Sequence, residues 1–417
     1  MIVSQLFAQR EFHLKREMMQ MGNFYNSEIH YFPSPQGFKF YYIFKIPYSQ
    51  LFFEKDNDDH FTSGITVNIE ITDSSSNLIT RGFDERTVSV TDFDRTTSKT
   101  ETLQGLISLI LQEGHYKLSA IISDKTSKKE RRIPPVNLNL TKEYQILHPL
   151  VLEQNNTKCD KSEVFIVSNN SSFIPFNKPQ NILAIPVLDS TLNSLTINVK
   201  RRDTVLVSGE SFNQTIFADA TLNLCDDKIV IPLSTKEERL RYFLFNAFSA
   251  KLSEGPIRIE VIPNQDSTKK KIFMSDVIWI GKPRSLLDAE SAIELLSIID
   301  TEQKVNQLLN SDDYKAALND YWQKLDPTPD TKYNELMNEF YQRVDYCQET
   351  FKSIDGSKGA YSDRGKIYII FGPPNKIERN SSNSDKVVET WFYDNQKKKF
   401  VFVDNDGTGK YSLVSEQ

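Results

Sequence analysis

This sequence predicts a mostly β protein that ends in an α+β unit: two β-sandwiches, a helical segment and a small antiparallel sheet. Three observations carry that prediction. Apolar residues alternate in period two from Asn23 to about Thr141. A second stretch, rich in short β-branched and aromatic runs, reaches Ile280. After Ala289 the apolar spacing changes to the three- and four-residue steps of helices, then returns to strands near the C-terminus. The 417 residues suffice for about three domains, and 39% hydrophobic residues with 27 phenylalanines suffice for their cores.

Residues 1–22 read as a separate N-terminal segment. Ile2 to Gln9 is too short for a signal peptide but resembles the last half of one, with small Ala8 where cleavage is expected; an ordinary frayed terminus is the alternative. Residues 23–142 form the first predicted sandwich. Its strands include Lys39 to Ile46, with Phe40, Tyr42 and Phe44 on one face, and Ile65 to Thr72, with Ile65, Val67, Ile69 and Ile71. Gly114-His115-Tyr116 resembles the Gly-x-Tyr strand start of immunoglobulin-like envelope domains, which implies that the glycine makes a turn and the tyrosine packs at a sandwich corner. Val136 to Leu140, after Pro134-Pro135, reads as the last strand, and Tyr144 to Pro149 as a linker.

Residues 143–283 give about eight further strand candidates, closed by Ile278-Trp279-Ile280-Gly281-Lys282-Pro283, and predict a second sandwich. Within it, Tyr242 to Phe248 reads equally as a core strand or a helix turn. The helical segment, 284–355, divides into Ala289 to Asn310, Asp312 to Leu325, and a longer helix started by Thr328-Pro329. In that last helix Tyr333, Leu336, Met337, Phe340, Val344, Cys347 and Phe351 share a face. Residues 356–417 read as four strands: Lys366 to Phe371, stopped by Gly372-Pro373-Pro374, then Val387 to Tyr393, Lys399 to Val403 and Lys410 to Val414. The helix around Phe340 is expected to cover the apolar face of this sheet.

Charge and spacing exclude several classes of function. A net charge of −6 argues against a general nucleic-acid binder, because the basic runs at Lys128-Lys129, Lys269 to Lys271 and Lys397 to Lys399 sit at hairpin tips. No run approaches the roughly 18 apolar residues that cross a bilayer as a helix. His13, His30, His60, His115 and His148 are scattered, which leaves no zinc-hydrolase pattern, and no cofactor or metal is expected. Asp404-Asn405-Asp406-Gly407 imitates the front of a calcium loop but reads better as a hairpin turn. Cys347 reads as a buried thiol, while Cys159 and Cys225 are a candidate disulfide if the chain is exported, with pairing left open at this stage.

One constellation remains, Gly359-Ala360-Tyr361-Ser362-Asp363-Arg364-Gly365, followed by Gly372-Pro373-Pro374 and by Trp391-Phe392-Tyr393. Together with Tyr321-Trp322 and Glu339-Phe340-Tyr341, these residues resemble the signature of the GWxTD-domain family from about Trp279 to Gln417. Gly359, Asp363, Arg364 and Gly365 match the pattern; Ser362 stands for its threonine and Ala360 for its tryptophan. The resemblance implies a bacterial envelope-associated protein of unassigned activity. The residues themselves allow two roles. Asp363 and Arg364 could form a polar site beside Glu389 and Asp404, or Asp363 could cap a turn while Arg364 pairs with a carboxylate of the sheet; the second is expected.

The functional expectation is a non-catalytic exported scaffold with an envelope protein partner, in an outer-membrane assembly or secretion complex. A fainter similarity, helices before a small sheet with Gly-x-Pro and Trp-x-Tyr, points to small lipoproteins of outer-membrane protein assembly. The alternatives are an envelope hydrolase using the Asp363/Arg364 region and a carbohydrate-binding module. Nothing in the sequence specifies anchoring mode or oligomeric state.

Overall fold

The computed structural model describes residues 26–142, 146–159, 162–168, 173–210, 215–218, 221–232, 240–246, 248–264, 266–353, 356, 358–381 and 386–417. The expectations for 1–22 lie outside these residues, as do parts of the predicted linker. Two compact units are present. One runs to Gly281 and includes Asp330–Tyr333; the other comprises Lys282–Pro329 and Asn334–Gln417.

The first unit is built from β-sheets. Its leading strands are β1 (Asn26–Ser34), β2 (Gly37–Pro47), β3 (Glu54–Lys55), β4 (Phe61–Asp73) and β5 (Leu78–Val90); after the short helix α1 (Phe93–Thr96) come β6 (Thr102–Leu111), β7 (Gly114–Asp124) and β8 (Glu130–Leu140). They make two antiparallel sheets, β1-β2-β6 and β3-β4-β7-β8, with β5 also paired to β4. One core joins them: Phe38, Phe40, Tyr42, Phe44 and Ile46 of β2 meet Ile65, Val67, Ile69 and Ile71 of β4 and Leu118 and Ala120 of β7. Gly105 is required here, since a Cβ would lie 2.0 Å from the Phe44 ring. The Tyr116 hydroxyl donates to the Gln112 carbonyl at 3.2 Å, and its ring lies against Gly114 and the core.

Twelve further strands follow among the described residues: β9 (Leu150–Cys159), β10 (Ser162–Val167), β11 (Phe173–Pro175), β12 (Ile182–Val187), β13 (Leu195–Arg201), β14 (Thr204–Glu210), β15 (Thr215–Ala218), β16 (Asn223–Cys225), β17 (Lys228–Pro232), β18 (Leu240–Phe245), β19 (Gly255–Pro263) and β20 (Lys271–Ile278). Their orders are β15-β18-β12-β9-β10-β17-β16 and β11-β20-β19-β13-β14. All pairings are antiparallel except that of β11 with β20. The ambiguous Tyr242 region is a strand, because its alternate residues Leu240, Tyr242 and Leu244 all enter one core. Cys159 and Cys225, at the ends of β9 and β16, form a disulfide with Cα atoms 6.1 Å apart.

β2 packs both of its faces. Its even positions fill the core just described, whereas Tyr41 and Ile43, together with Phe32 of β1, enter a second core with Leu150, Leu152 and Phe165 of the seven-stranded sheet. The β1-β2-β6 sheet is therefore a middle layer. The period-two reading recognised Phe40, Tyr42 and Phe44 but assigned the opposite face no partner.

The second unit holds α2 (Ala289–Leu295), α3 (Glu302–Leu309), α4 (Tyr314–Gln323), α5 (Glu335–Thr350) and α6 (Asp363–Phe371), then β21 (Lys376–Ser381), β22 (Val387–Tyr393), β23 (Lys398–Asp404) and β24 (Tyr411–Glu416) in one antiparallel sheet of that order. Several sequence expectations need correction. The predicted helix from Ala289 to Asn310 is broken, because Thr301 starts a new helix by accepting a hydrogen bond from Lys304 N at 3.3 Å. The long helix starts after Asn334 rather than at Thr328-Pro329. Asn334 accepts from Met337 N and donates to the Trp322 carbonyl, both at 2.8 Å, while Thr328 donates instead to Glu335 of the first turn. Two bonds for one buried side chain outweigh the half-buried cap at Thr328.

The larger correction concerns Lys366 to Phe371, which is helix α6 and not a strand. A short apolar run bounded by Gly-Pro-Pro suits either element. The helix wins because Ser362 accepts from Gly365 N at 3.0 Å, Asp363 follows in the first turn, and Gly372 ends it at φ +81°. β21 takes the vacant place in the sheet. Phe340 accordingly packs on the rings of Trp322 and Tyr341, at 5.3 and 4.8 Å between centroids, and not on the sheet; Phe351, at the end of α5, is the ring that meets Trp391.

Two measurements test this architecture. Truncating fully buried Ile43 to alanine is expected to cost about 2–5 kcal/mol in urea unfolding, whereas Ile79→Ala, 48% exposed on β5, stays within about 0.5 kcal/mol. Replacing Cys159 and Cys225 by serine is expected to cost about 4 kcal/mol, given 66 residues of separation; equal stability of oxidised and doubly substituted chains contradicts this.

Candidate functional site

The segment from Gly359 to Gly365 is shaped by what its glycines allow. A Cβ on Gly359 would stand 2.0 Å from the Cys347 carbonyl oxygen, and one on Gly365 would stand 2.1 Å from the Gly359 carbonyl oxygen. No other residue lets α5, the 3-10 turn at Gly359–Tyr361 and α6 approach this closely. The Cys347 thiol donates to the Gly365 carbonyl at 3.7 Å across the same contact, and burial pushes its pKa up to about 12. Ala360, at the family's tryptophan position, is completely buried. Ser362 closes the turn from both sides, donating to the Gly359 carbonyl at 2.7 Å while capping α6.

Asp363 and Arg364 then point different ways. The Asp363 carboxylate accepts from Leu413 N at 2.8 Å, so it satisfies a backbone donor of the edge strand β24. Such a contact also blocks pairing with another chain at that position. Arg364 is buried. Its Nη1 donates to Glu389 Oε2 at 3.0 Å and its Nη2 to the Gly409 carbonyl at 3.4 Å, and its guanidinium lies 3.8 Å from the Tyr411 ring centroid and 4.9 Å from that of Phe351. The other oxygen of Glu389 accepts from Trp391 Nε1 at 3.0 Å. Arg379 of β21 donates to the Tyr411 hydroxyl at 2.8 Å. The planar fork of arginine suits this combination of carboxylate pairing and ring stacking in a way that lysine cannot match.

The structure thus brings together Arg364, Glu389 and Trp391, and separates them from the bonding of Asp363 and Asp404. Asp404 is engaged within its own turn, accepting from Gly409 N at 2.8 Å and Asp406 N at 3.4 Å. Gly372 serves the sheet, its carbonyl accepting from the Tyr393 hydroxyl at 2.9 Å, while Pro373 and Pro374 carry the chain away from the end of α6. Sequence reasoning missed Tyr411 and Phe351, whose rings lie at the guanidinium, and Arg379, which donates to Tyr411; their spacing carries no signal, because they come from three different elements. It also missed a cleft of about 320 Å³ beside the motif, lined by Arg284, Glu294, Asp345, Glu349, Lys358 and Tyr361. Three of its charged groups are already committed, since Arg284 pairs with Glu349 at 2.8 Å and Asp345 accepts from the backbone N–H groups of Arg284 and Ser285. Among the described residues, no three His, Cys, Asp or Glu side chains gather as a metal set.

Chemically, the arrangement binds elements to one another. Removing the Arg364 guanidinium leaves Glu389 buried without its cation, so Arg364→Ala is expected to cost about 3–5 kcal/mol, against about 1–3 kcal/mol for Asp363→Asn, read from denaturant midpoints. Equal and negligible losses in both variants would show that the network does not hold this unit. Cys347 gives a second readout. A thiol held protonated by the fold contributes stability below the unfolded thiol pKa and loses it as pH rises above that value, so near pH 8 it should react with iodoacetamide only after unfolding.

Comparison with known proteins gives this region its family. The GWxTD domain model matches residues 263–417. No curated protein matches the chain. Among solved structures, the cadherin-like domains 1 to 4 of zebrafish RET share 10% identity over 52% of this chain and 41% of theirs, with a TM-score of 0.12. Trypsin-activated alpha-2-macroglobulin from Escherichia coli shares 10% over 61% of this chain and 16% of its own, with a TM-score of 0.14. The chain spans less than half the length of either structure, and scores this low carry no inference about fold or activity. Residues 263–417, which hold the motif and its buried arginine network, are thus the part of the chain that matches the GWxTD domain.

Proposed function

We propose that this chain is a non-catalytic, exported interaction protein of the bacterial cell envelope, a scaffold that docks another envelope protein. The observation that carries the reading is the state of the motif: Ser362, Asp363, Arg364 and Glu389 each make hydrogen bonds that tie α6 to the turn and the sheet. A general acid or base has to reach a substrate proton, and these groups are already committed to the fold.

Two further features support it. The Cys159–Cys225 disulfide suits an oxidising compartment. Layered antiparallel sheets with alternating cores and the Gly114-x-Tyr116 corner support two immunoglobulin-like sandwiches, an architecture whose edges and loops commonly serve docking.

Affinity capture of the full chain from native membranes, followed by mass spectrometry, tests this. The expected outcome is a stoichiometric envelope protein that survives Asp363→Asn in proportion to folded chain. A chain recovered alone that cleaves envelope glycans or peptides, with Asp363→Asn abolishing cleavage and sparing stability, would replace the scaffold by a hydrolase. Recovery of the native protein in the cytosol with both cysteines reduced would overturn export.

A further inference from the structure

The cleft of about 320 Å³ in the second unit lies outside the motif's network, since Ser362, Asp363, Arg364 and Glu389 contribute nothing to its lining. Three segments enclose it. The 3-10 turn Arg284–Leu286 is held to α5, because Asp345 accepts from the backbone N–H groups of Arg284 and Ser285, and Arg284 pairs with Glu349 one turn further along that helix. The turn Gly359–Tyr361 is held to α5 by the close approach of Gly359 to the Cys347 carbonyl. α2 supplies Glu294 and Leu295, and the Tyr361 hydroxyl is hydrogen-bonded to the Ser297 side chain just beyond α2. These contacts fix the walls of the cleft before any ligand arrives, which lowers the cost of binding.

With Arg284, Asp345 and Glu349 committed to the walls, three polar side chains of the lining remain. Glu294 of α2, Gln348 of α5 and Lys358, next to Gly359, make no side-chain hydrogen bond or ion pair among the described residues. The cleft therefore offers one free anion and one free cation on different segments, a carboxamide with both a donor and an acceptor, and an apolar wall of Leu295 and the Tyr361 ring. We propose that it binds a short peptide whose two ends are both free. The peptide's ammonium meets Glu294, its carboxylate meets Lys358, Gln348 takes a peptide group between them, and an apolar side chain lies against Leu295 and Tyr361.

Charge and size select this class of ligand. A phosphate or other anion would meet Glu294, Asp345 and Glu349 as well as the two cations, and a polycation would meet Arg284 and Lys358. A neutral sugar leaves both free charges without a counter-charge. A zwitterion satisfies both, and because Glu294 and Lys358 stand too far apart to pair, its own charges must be separated. Two or three residues hold their terminal charges roughly 5–10 Å apart, whereas a single amino acid carries both on one carbon. The volume agrees, lying at the small end of the range of about 300–1,000 Å³ for ligand sites. Binding of this kind needs no catalytic group and is independent of whether another envelope protein docks elsewhere on the chain.

The test is isothermal titration calorimetry of the full chain with unblocked trialanine and Ala-Leu-Ala, and with the same peptides acetylated at the amino end or amidated at the carboxyl end. Glu294 and Lys358 are exposed, so Glu294→Gln and Lys358→Met are expected to fold as the wild type does. Saturable one-to-one binding of unblocked peptide is expected with a Kd of roughly 0.1–1 mM, weakened about tenfold by blocking either end. Glu294→Gln should weaken unblocked peptide about tenfold and leave the acetylated peptide unaffected, and Lys358→Met should do the same with the amidated peptide. No saturation by about 20 mM of either unblocked peptide overturns the proposal. So does either variant if it binds unblocked peptide like the wild type, or loses affinity equally for blocked and unblocked forms. Saturable binding of the disaccharide of N-acetylglucosamine in place of peptide, unchanged in both variants, would assign the cleft to a neutral sugar and overturn the proposal equally.

Discussion

A strand with large apolar side chains on both faces can be stable only between two layers, and β2 is such a strand. Phe38, Phe40, Tyr42, Phe44 and Ile46 must be covered on one side, and Tyr41 and Ile43 on the other. Each buried aromatic or branched side chain contributes about 1.5–3 kcal/mol through removal from water, so neither face can be left wet. This constraint draws the segments before and after residue 142 into one compact unit. It also explains why polar residues on the same face, at Glu28, His30 and Lys45, are held by specific partners instead of solvent.

In the GWxTD domain the comparable constraint is the Arg364 guanidinium. It is stacked between Tyr411 and Phe351 and paired with Glu389, so it fixes α6 against the sheet with both apolar and charged contacts. The glycines at 359 and 365 are the geometric counterpart, since only chains without a Cβ approach closely enough to put Arg364 there. In this chain the motif is a set of fold-forming residues: two close-approach glycines, a helix cap, an edge-strand acceptor and a buried cation. Two buried charges satisfied by many partners resist rearrangement, whereas apolar contacts alone tolerate slippage.

Much of this was legible from residues alone. Period-two runs located β2, β22 and β23 within a residue or two and the core part of β4, and the pairing of Arg364 with a sheet carboxylate follows from the need of a buried cation for a counter-charge. The reading failed where local signals were degenerate. Lys366 to Phe371 is short, apolar and followed by a stop, which fits a buried helix as well as a strand; the Ser362 cap was the discriminating feature, visible but outweighed by β-branched composition. Thr328-Pro329 is a sound cap by local rules, yet Asn334 gained a second bond to Trp322 that only the folded chain supplies.

The sequence by itself determined the β-rich character, the succession from strands to helices and back to strands, the family resemblance of the last third and the chemical need for Arg364 to be paired, because periodicity, turn chemistry and the cost of burying charge act within a few residues. Tertiary structure decided which carboxylate pairs with Arg364, that Asp363 serves a strand edge, that Cys159 reaches Cys225 and that β2 is covered on both faces. Each of these depends on where elements far apart in the chain come to lie, and no local pattern encodes that position. It follows from close packing of all the buried faces at once.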